Sequence, residues 1–378
     1  MQKMQARIFF LIGLLLLTTN LYSQDSNFYI FLCFGQSNME GQGKIEAQDK
    51  IVESRFQVME AVNCSNLGRK IGTWYTAVPP LCRCYTGLSP VDYFGRTMVA
   101  SLPSNIKIGV INVSVAGCKI ELFDKVNYQT YASTTPSWMT NIINEYGGNP
   151  YARLVEMAKL AQKDGIIKGI LLHQGESNVG DGTWVSKVKG VYDNLMTDLS
   201  LEPTKVPLLA GEVVNADQGG VCAAANSMIA MLPRVIPNSH VISSSGCKDT
   251  TDNLHFNSVG YRELGKRYAT KMISLLSAEQ TVVHGSEVFG IADYKLEQNY
   301  PNPFNPVTLI NYSVAASGFI SIKVYDLLGR EVTILFEGNI QAGNYTAVFN
   351  AGNLASGVYL CRMQTKNFTA AKKLVLIK

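Results

Sequence analysis

A three-layer α/β/α sandwich built on a parallel sheet, followed by a small all-β, Ig-like sandwich, is what this sequence predicts, and three observations carry the prediction. Between Asn27 and Ser277, short near-continuous runs of β-branched and leucine residues alternate with helical patterns, as strands do when helices cover both of their faces. From Ala278 the texture turns polar, and the three prolines Pro301, Pro303 and Pro306 exclude helix and central strand. Beyond them, short runs of alternating polar and apolar residues are separated by turn pairs. With 378 residues, 47% hydrophobic and 16% charged, the chain can bury a core for about two domains.

The elements follow in order. Lys3 and Arg7, the apolar run Ile8 to Leu17 and the polar stretch Thr18 to Ser23 have the layout of a secretory signal peptide, and the run falls short of the roughly 20 residues of a spanning helix. Residues 1–23 are therefore expected to be a leader, with the mature chain starting near Gln24 and carrying no transmembrane segment. Residues 24–277 form the first domain. Its strands are expected over Phe28–Phe34, Ile106–Val115, Ile166–His173, Pro207–Glu212 and His240–Ser244. Its helices are expected over Pro90–Leu102, Tyr151–Lys163, Lys187–Leu199, Val221–Met231 and Ser258–Leu276. Residues 278–295 read as a linker and 296–378 as the β-sandwich, with strands over Leu309–Val314, Phe319–Tyr325, Glu331–Phe336, Tyr345–Asn350, Gly357–Gln364 and Lys372–Ile377.

The formal charge of +4 is small, and part of it lies in the leader and in Lys372, Lys373 and Lys378, so no basic face points to nucleic acid. Export makes disulfides available to the eight cysteines. Cys33 and Cys361 fall inside strands and read as buried apolar residues. Cys64 with Cys82 or Cys84, and Cys222 with Cys247, are the plausible loop staples. Cys82-Arg83-Cys84 has neither zinc-ligand spacing nor a neighbouring histidine, and neither a metal nor a cofactor is expected.

Ligands of parallel sheets collect at the C-terminal ends of the strands. There the sequence places Gly35-Gln36-Ser37-Asn38, Ala116-Gly117-Cys118 and Gln174-Gly175-Glu176-Ser177-Asn178. A serine becomes a nucleophile when a histidine takes its proton and a carboxylate fixes that histidine's tautomer. Of the four histidines, His284 falls in the linker, and His240 and His173 belong to strands. His255 follows Asp252 by three residues in "TTDNLHFNSVGYRELG", a turn that can bring carboxylate to imidazole. The order Ser37, Asp252, His255 is that of several α/β hydrolases, but Met39 occupies the last glycine position of a G-x-S-x-G elbow, which argues for a different hydrolase sandwich.

Four blocks, "FLCFGQSNMEG", "IGVINVSVAGCKIELF", "LLHQGESN" and "DNLHFNSVGYRELG", resemble the SGNH hydrolases, whose sandwich is flavodoxin-like, and within them the sialate O-acetylesterase and carbohydrate esterase family six group. The tail blocks "LEQNYPNPFNPVTLINYSV", "VYDLLGREV", "GNYTAVFNAGNLASGVYLCRM" and "KKLVLIK" are similar to the C-terminal sorting domain of the type IX secretion system. The first resemblance implies Ser37 as nucleophile, His255 as general base, Asp252 as its orienting acid, and an oxyanion hole from Ser37, Gly117 and Gln174. Asn178 is the alternative to Gln174, because the wider superfamily uses asparagine in this block. Glu176 is either a second acid supporting His255 or a shaper of the neighbouring loop. The second resemblance implies the secretion machinery as partner, and a protein secreted from, or displayed on, a Gram-negative bacterium.

Acetylated carbohydrate, either sialic acid or a plant polysaccharide such as xylan, is the implied substrate. Arg69, Trp74 and Trp184 are candidate sugar contacts, and Tyr75, Tyr85 and Trp138 are further aromatics suited to stacking on sugar rings. The rival from another class is a catalytically inactive, surface-displayed carbohydrate-binding protein; it predicts a lost triad member, and none is lost here.

Overall fold

The computed structural model describes residues 24–283 and 293–377. The expected leader, His284 and much of the linker lie outside those residues. The first sheet contains β1 (Asp25–Gly35), β2 (Phe56–Met59), β3 (Trp74–Thr76), β4 (Lys107–Ser114), β5 (Gly165–His173), β6 (Leu208–Gly211) and β7 (Ser239–Ile242), in the order β3-β2-β4-β1-β5-β6-β7. All neighbours pair in parallel except β3, which runs antiparallel to β2 at one edge. The sheet is therefore mixed rather than purely parallel. The departure arises because β2 and β3, only four and three residues long, are both built from the 56–76 segment, too short to show a strand period.

The helices are α1 (Ser37–Glu40), α2 (Pro90–Ser101), α3 (Tyr128–Ala132), α4 (Ser137–Glu145), α5 (Pro150–Ala161), α6 (Trp184–Asp198), α7 (Ala225–Ile229), α8 (Leu232–Val235) and α9 (Ser258–Val283). Alternate residues of β1 enter opposite layers, as the two-residue period of a strand requires. Ile30, Leu32 and Phe34 pack with Leu154 and Ala158 of α5 and Val188 and Leu195 of α6. Phe31 and Cys33 pack with Phe94 and Met98 of α2 and Leu264 and Tyr268 of α9. Burying each large apolar side chain stabilises the sandwich by roughly 1.5–3 kcal/mol. At its start α2 has a Ser89–Asp92 capping box and Pro90, and α5 begins with Asn149 accepting from the Ala152 N–H. The helix expected over Val221–Met231 is shorter, because the Val221 N–H is drawn to the carbonyl of Asn253 and helical structure begins only at α7.

In the tail, β9 (Val307–Val314) lies between β12 (Gly343–Asn350) and the short β8 (Lys295–Leu296). The facing sheet runs β11 (Glu331–Ile340), β10 (Gly318–Tyr325), β13 (Gly357–Thr365), β14 (Thr369–Leu376). All pairs are antiparallel, and Ile310, Val314, Ile322, Val324, Phe349, Cys361 and Leu374 fill the space between the sheets. Among the described residues, no helix is long and apolar enough to cross a membrane.

Cys64 and Cys84 form a disulfide, while Cys82 is a free buried thiol. The pairing expected between Cys222 and Cys247 is not made. Cys247 is buried beside α9, whereas Cys222 points its sulfur at the carbonyl of Glu176.

Candidate active site

The central strand β1 ends at Gly35, where a Cβ would stand 2.1 Å from the carbonyl oxygen of His173 on β5; with φ at +154°, only glycine fits. This close approach lets the Gln36 N–H bond to His173 O at 3.1 Å and starts α1 at Ser37. His255 arrives from the other side, on a loop closed by the Asp249–Phe256 bridge and by the Thr250 N–H donating to His255 O at 2.8 Å.

The imidazole Nε2 of His255 lies 2.9 Å from Ser37 Oγ, and its Nδ1 lies 2.7 Å from Asp252 Oδ2. Asp252 Oδ1 accepts from Thr250 Oγ1 at 2.5 Å and from the N–H groups of Leu254 and His255, each at 2.9 Å. Partial burial raises the Asp252 carboxyl, but these hydrogen bonds together hold it well below the usual carboxylate range, so it is ionised at neutral pH. Serine, imidazole and carboxylate thus stand in the hydrogen-bonded order that activating a hydroxyl requires.

Three neighbouring strand ends meet at α1. From β4, the Val115 N–H donates to Gly35 O at 3.1 Å and the Ala116 N–H to Glu40 Oε1 at 3.2 Å, which sets the Ala116–Gly117 turn against the serine helix. Gly117 is exposed with φ at +68°, and the ring edge of Trp138 lies 3.0 Å from where its Cβ would be. Among the described residues, the N–H groups of Ser37 and Gly117 donate to no protein acceptor.

From β5, Gln174 is buried, and its Nε2 faces Asn178 Oδ1 at 2.8 Å, Gln36 Oε1 at 3.1 Å and Cys118 O at 3.3 Å. Asn178 is equally engaged, donating to Glu121 and Asp181 and accepting the Ile120 N–H. Gln36 Oε1 also accepts from the Gly175 and Ser177 N–H groups, while its Nε2 has no acceptor among the described residues. Neither of the carboxamides that the sequence singles out therefore has a free donor, whereas that of Gln36 does.

Glu176 makes no contact with the His255 ring. Its Oε1 accepts from Asn38 Nδ2 at 2.7 Å and lies 3.6 Å from Nε2 of the fully buried His173. Burial raises the Glu176 carboxyl, but His173 and Asn38 more than offset this and hold it below its ordinary value. Glu40 is buried too and pairs with Arg83 at 2.7 Å, inside the loop that the disulfide closes. Cys118, buried with its thiol pushed well above its usual range, first by desolvation and then by Glu40 and Glu176, is no rival nucleophile.

The three expected sugar contacts lie elsewhere. Trp184 is 0% exposed, and its indole N–H donates to Gln174 Oε1, so it buttresses that amide from within the core. Trp74 packs on Phe28 and donates to Asp164 Oδ2 at 2.9 Å, at the opposite end of the sheet from Ser37. Arg69 is buried against Glu60 at 2.7 Å and also donates to the carbonyls of Val78 and Pro80. Removing one partner of such a pair strands the other's charge. Arg69→Ala is therefore expected to cost about 3–5 kcal/mol, read as a lower midpoint in chemical denaturation. Trp138, 51% exposed beside Gly117, is the aromatic residue that the structure does bring to the site. Asn38, Gln36 and Glu40 are residues that sequence reasoning passed over, although all three stand in the same block as Ser37.

A family model described as carbohydrate esterase, sialic acid-specific acetylesterase, matches residues 27–274. A second, described as a secretion system C-terminal sorting domain, matches residues 298–378. Among solved structures, a protein from Arabidopsis thaliana superposes with a TM-score of 0.51 at 21% identity, covering 66% of this chain and 99% of that one, and shares its fold. NanS superposes with a TM-score of 0.49 at 13% identity, covering 67% of this chain and 99% of that one. A Clostridium thermocellum family 3 carbohydrate esterase superposes with a TM-score of 0.31 at 14% identity, covering 67% and 98% of the two chains.

Proposed function

The chain belongs to the sialic acid-specific acetylesterase family of carbohydrate esterases, and from that premise we propose that it removes O-acetyl groups from carbohydrate through an acetyl-enzyme formed on Ser37. The observation that supports this reading most is the 2.9 Å contact of Ser37 Oγ with an imidazole whose other nitrogen is held by Asp252.

In the proposed reaction His255 Nε2 takes the Ser37 proton as Oγ attacks the acetyl carbonyl. Negative charge develops on the carbonyl oxygen, which the N–H groups of Ser37 and Gly117 stabilise. The tetrahedral intermediate collapses as His255 returns the proton to the departing sugar hydroxyl. Water then enters, loses a proton to His255 and releases acetate, restoring Ser37. Asp252 stays ionised and keeps the Nδ1–H tautomer.

The third oxyanion donor is assigned to Gln36 Nε2, with Gln174 holding the Gln36 side chain by its oxygen. Losing one such donor costs about 10²–10³ in kcat. Gln36→Ala is accordingly expected to lose kcat on that scale and some Tm as well, because the Gly175 and Ser177 N–H groups lose their acceptor. Gln36→Glu, which keeps that acceptor and removes the Nε2 donor, is expected to show the same loss of kcat, whereas Gln174→Ala lowers Tm because the Trp184 N–H is left unpaired. An unaffected kcat in Gln36→Ala would return the donor role to Gln174.

The sorting domain supports export through the type IX machinery to the exterior of a Gram-negative cell. Trp138 offers a face on which a sugar ring can stack beside Gly117. The reading is tested by measuring acetate release side by side from O-acetylated sialic acid, acetylxylan and acetylated pectin, together with labelling by a fluorophosphonate probe. Release from at least one of them with Ser37 labelled is expected. A protein that binds these sugars but neither releases acetate nor takes the probe is a lectin, and the esterase reading fails.

A further inference from the structure

We propose that Asn38 is the positioning residue that sets the Ser37–His255 distance, and that Glu176 acts on the site through it; the inference rests on the serine-esterase reading above. Asn38 directly follows Ser37 and is fully buried. Its Nδ2 donates to Leu254 O at 3.0 Å and to Glu176 Oε1 at 2.7 Å. Its Oδ1 accepts the Phe256 N–H at 3.2 Å and the Tyr261 O–H at 2.7 Å. Leu254 and Phe256 are the two neighbours of His255. One carboxamide therefore grips the backbone on both sides of the base while its own backbone carries the nucleophile.

A carboxamide offers two N–H donors and an oxygen with two lone pairs, and here all are used, so the grip has no slack. Its orientation is fixed as well. A flipped amide would point its oxygen at a carboxylate and a carbonyl, and its NH2 at the Phe256 N–H. Glu176 makes that flip costly, because it presents a charged acceptor in a buried place. Both nitrogens of His255 are already taken by Ser37 and Asp252, so Glu176 has no hydrogen bond to the imidazole, and Asn38 is the hydrogen-bonded link from its carboxylate to the His255 loop.

The test compares the full chain with Asn38→Ala, Glu176→Gln and the double variant, using p-nitrophenyl acetate hydrolysis, Tm and amide hydrogen exchange at Phe256. Misplacing the base should cost Asn38→Ala about 10²-fold in kcat with KM nearly unchanged, and should speed Phe256 exchange. Glu176→Gln should lose less, and the double variant should be no worse than Asn38→Ala alone. Native-like kcat in Asn38→Ala, or effects of the two substitutions that multiply, overturns the proposal. Should Asn38→Ala fail to fold, Tyr261→Phe, which removes one of the two bonds to Oδ1, replaces it in the cycle with the same expectations in milder form. Should the native chain hydrolyse no ester, the esterase reading falls, and Phe256 exchange alone decides the positioning: acceleration upholds it and unchanged exchange overturns it.

Discussion

Ser37→Ala is expected to lower the rate of acetate release by about 10⁶-fold, the scale on which serine hydrolases lose turnover when the nucleophile is removed. The substitution deletes the atom that attacks and nothing else of consequence, since the only side-chain hydrogen bond of Ser37 among the described residues is the one to His255. The serine is almost buried, and alanine fits its space without opening a cavity or stranding a buried charge. Far-ultraviolet circular dichroism and Tm should therefore match the native chain while turnover and fluorophosphonate labelling vanish. A variant that keeps even about one hundredth of the native rate would show that Ser37 is not the nucleophile, because the roughly 10³–10⁴-fold left by an oxyanion hole and binding is measured against water, not against the enzyme.

Asp252→Asn is expected to lower kcat by about 10⁴-fold with the site's geometry intact. Asp252 Oδ1 accepts two backbone N–H groups and the Thr250 hydroxyl, so asparagine keeps its oxygen on that side and turns its NH2 toward His255 Nδ1. An NH2 donor there forces the imidazole proton onto Nε2, which then faces Ser37 as a donor and cannot accept the hydroxyl proton. KM should change little, since no acceptor for the sugar is altered. A loss of less than about tenfold in kcat would mean that the carboxylate does not set the tautomer and that another group orients His255.

The layers of the first domain are legible in the sequence because the central strands β1, β4, β5 and β6 carry apolar residues on both faces, and that property survives without knowledge of any partner. The short β2 and β3 are not legible, for β2 is placed by the β4 edge that it covers and β3 by β2 in turn, rather than by their own residues. The same division runs through the site. Ser37, Asp252 and His255 stand out because four histidines leave few combinations and the Asp-x-x-His turn is local. Arg69 and Trp74 mislead because exposure is not written in residue type: Glu60 lies nine residues from the arginine and Asp164 ninety residues from the indole. Asn38 is invisible for a stronger reason, since the groups that it holds, Leu254 O and Phe256 N–H, are backbone atoms more than two hundred residues away.

The order of strands β4-β1-β5 has a consequence for how such an enzyme changes its diet. In the proposed reaction the acyl side is the one lined by the turns after β4 and β5, with Gly117 and Gln174, and by Trp138 of α4, whereas the proton-handling side comes from one loop ahead of α9. Rewriting the Ala116–Gly117 turn leaves the Asp252–His255 loop and its Asn38 anchor untouched, whereas in the turn after β5 Glu176 has to be kept, because it is bonded to Asn38. Evolution, or a laboratory library, can exchange one acetylated sugar for another on the first side while the chemistry stays inherited on the second.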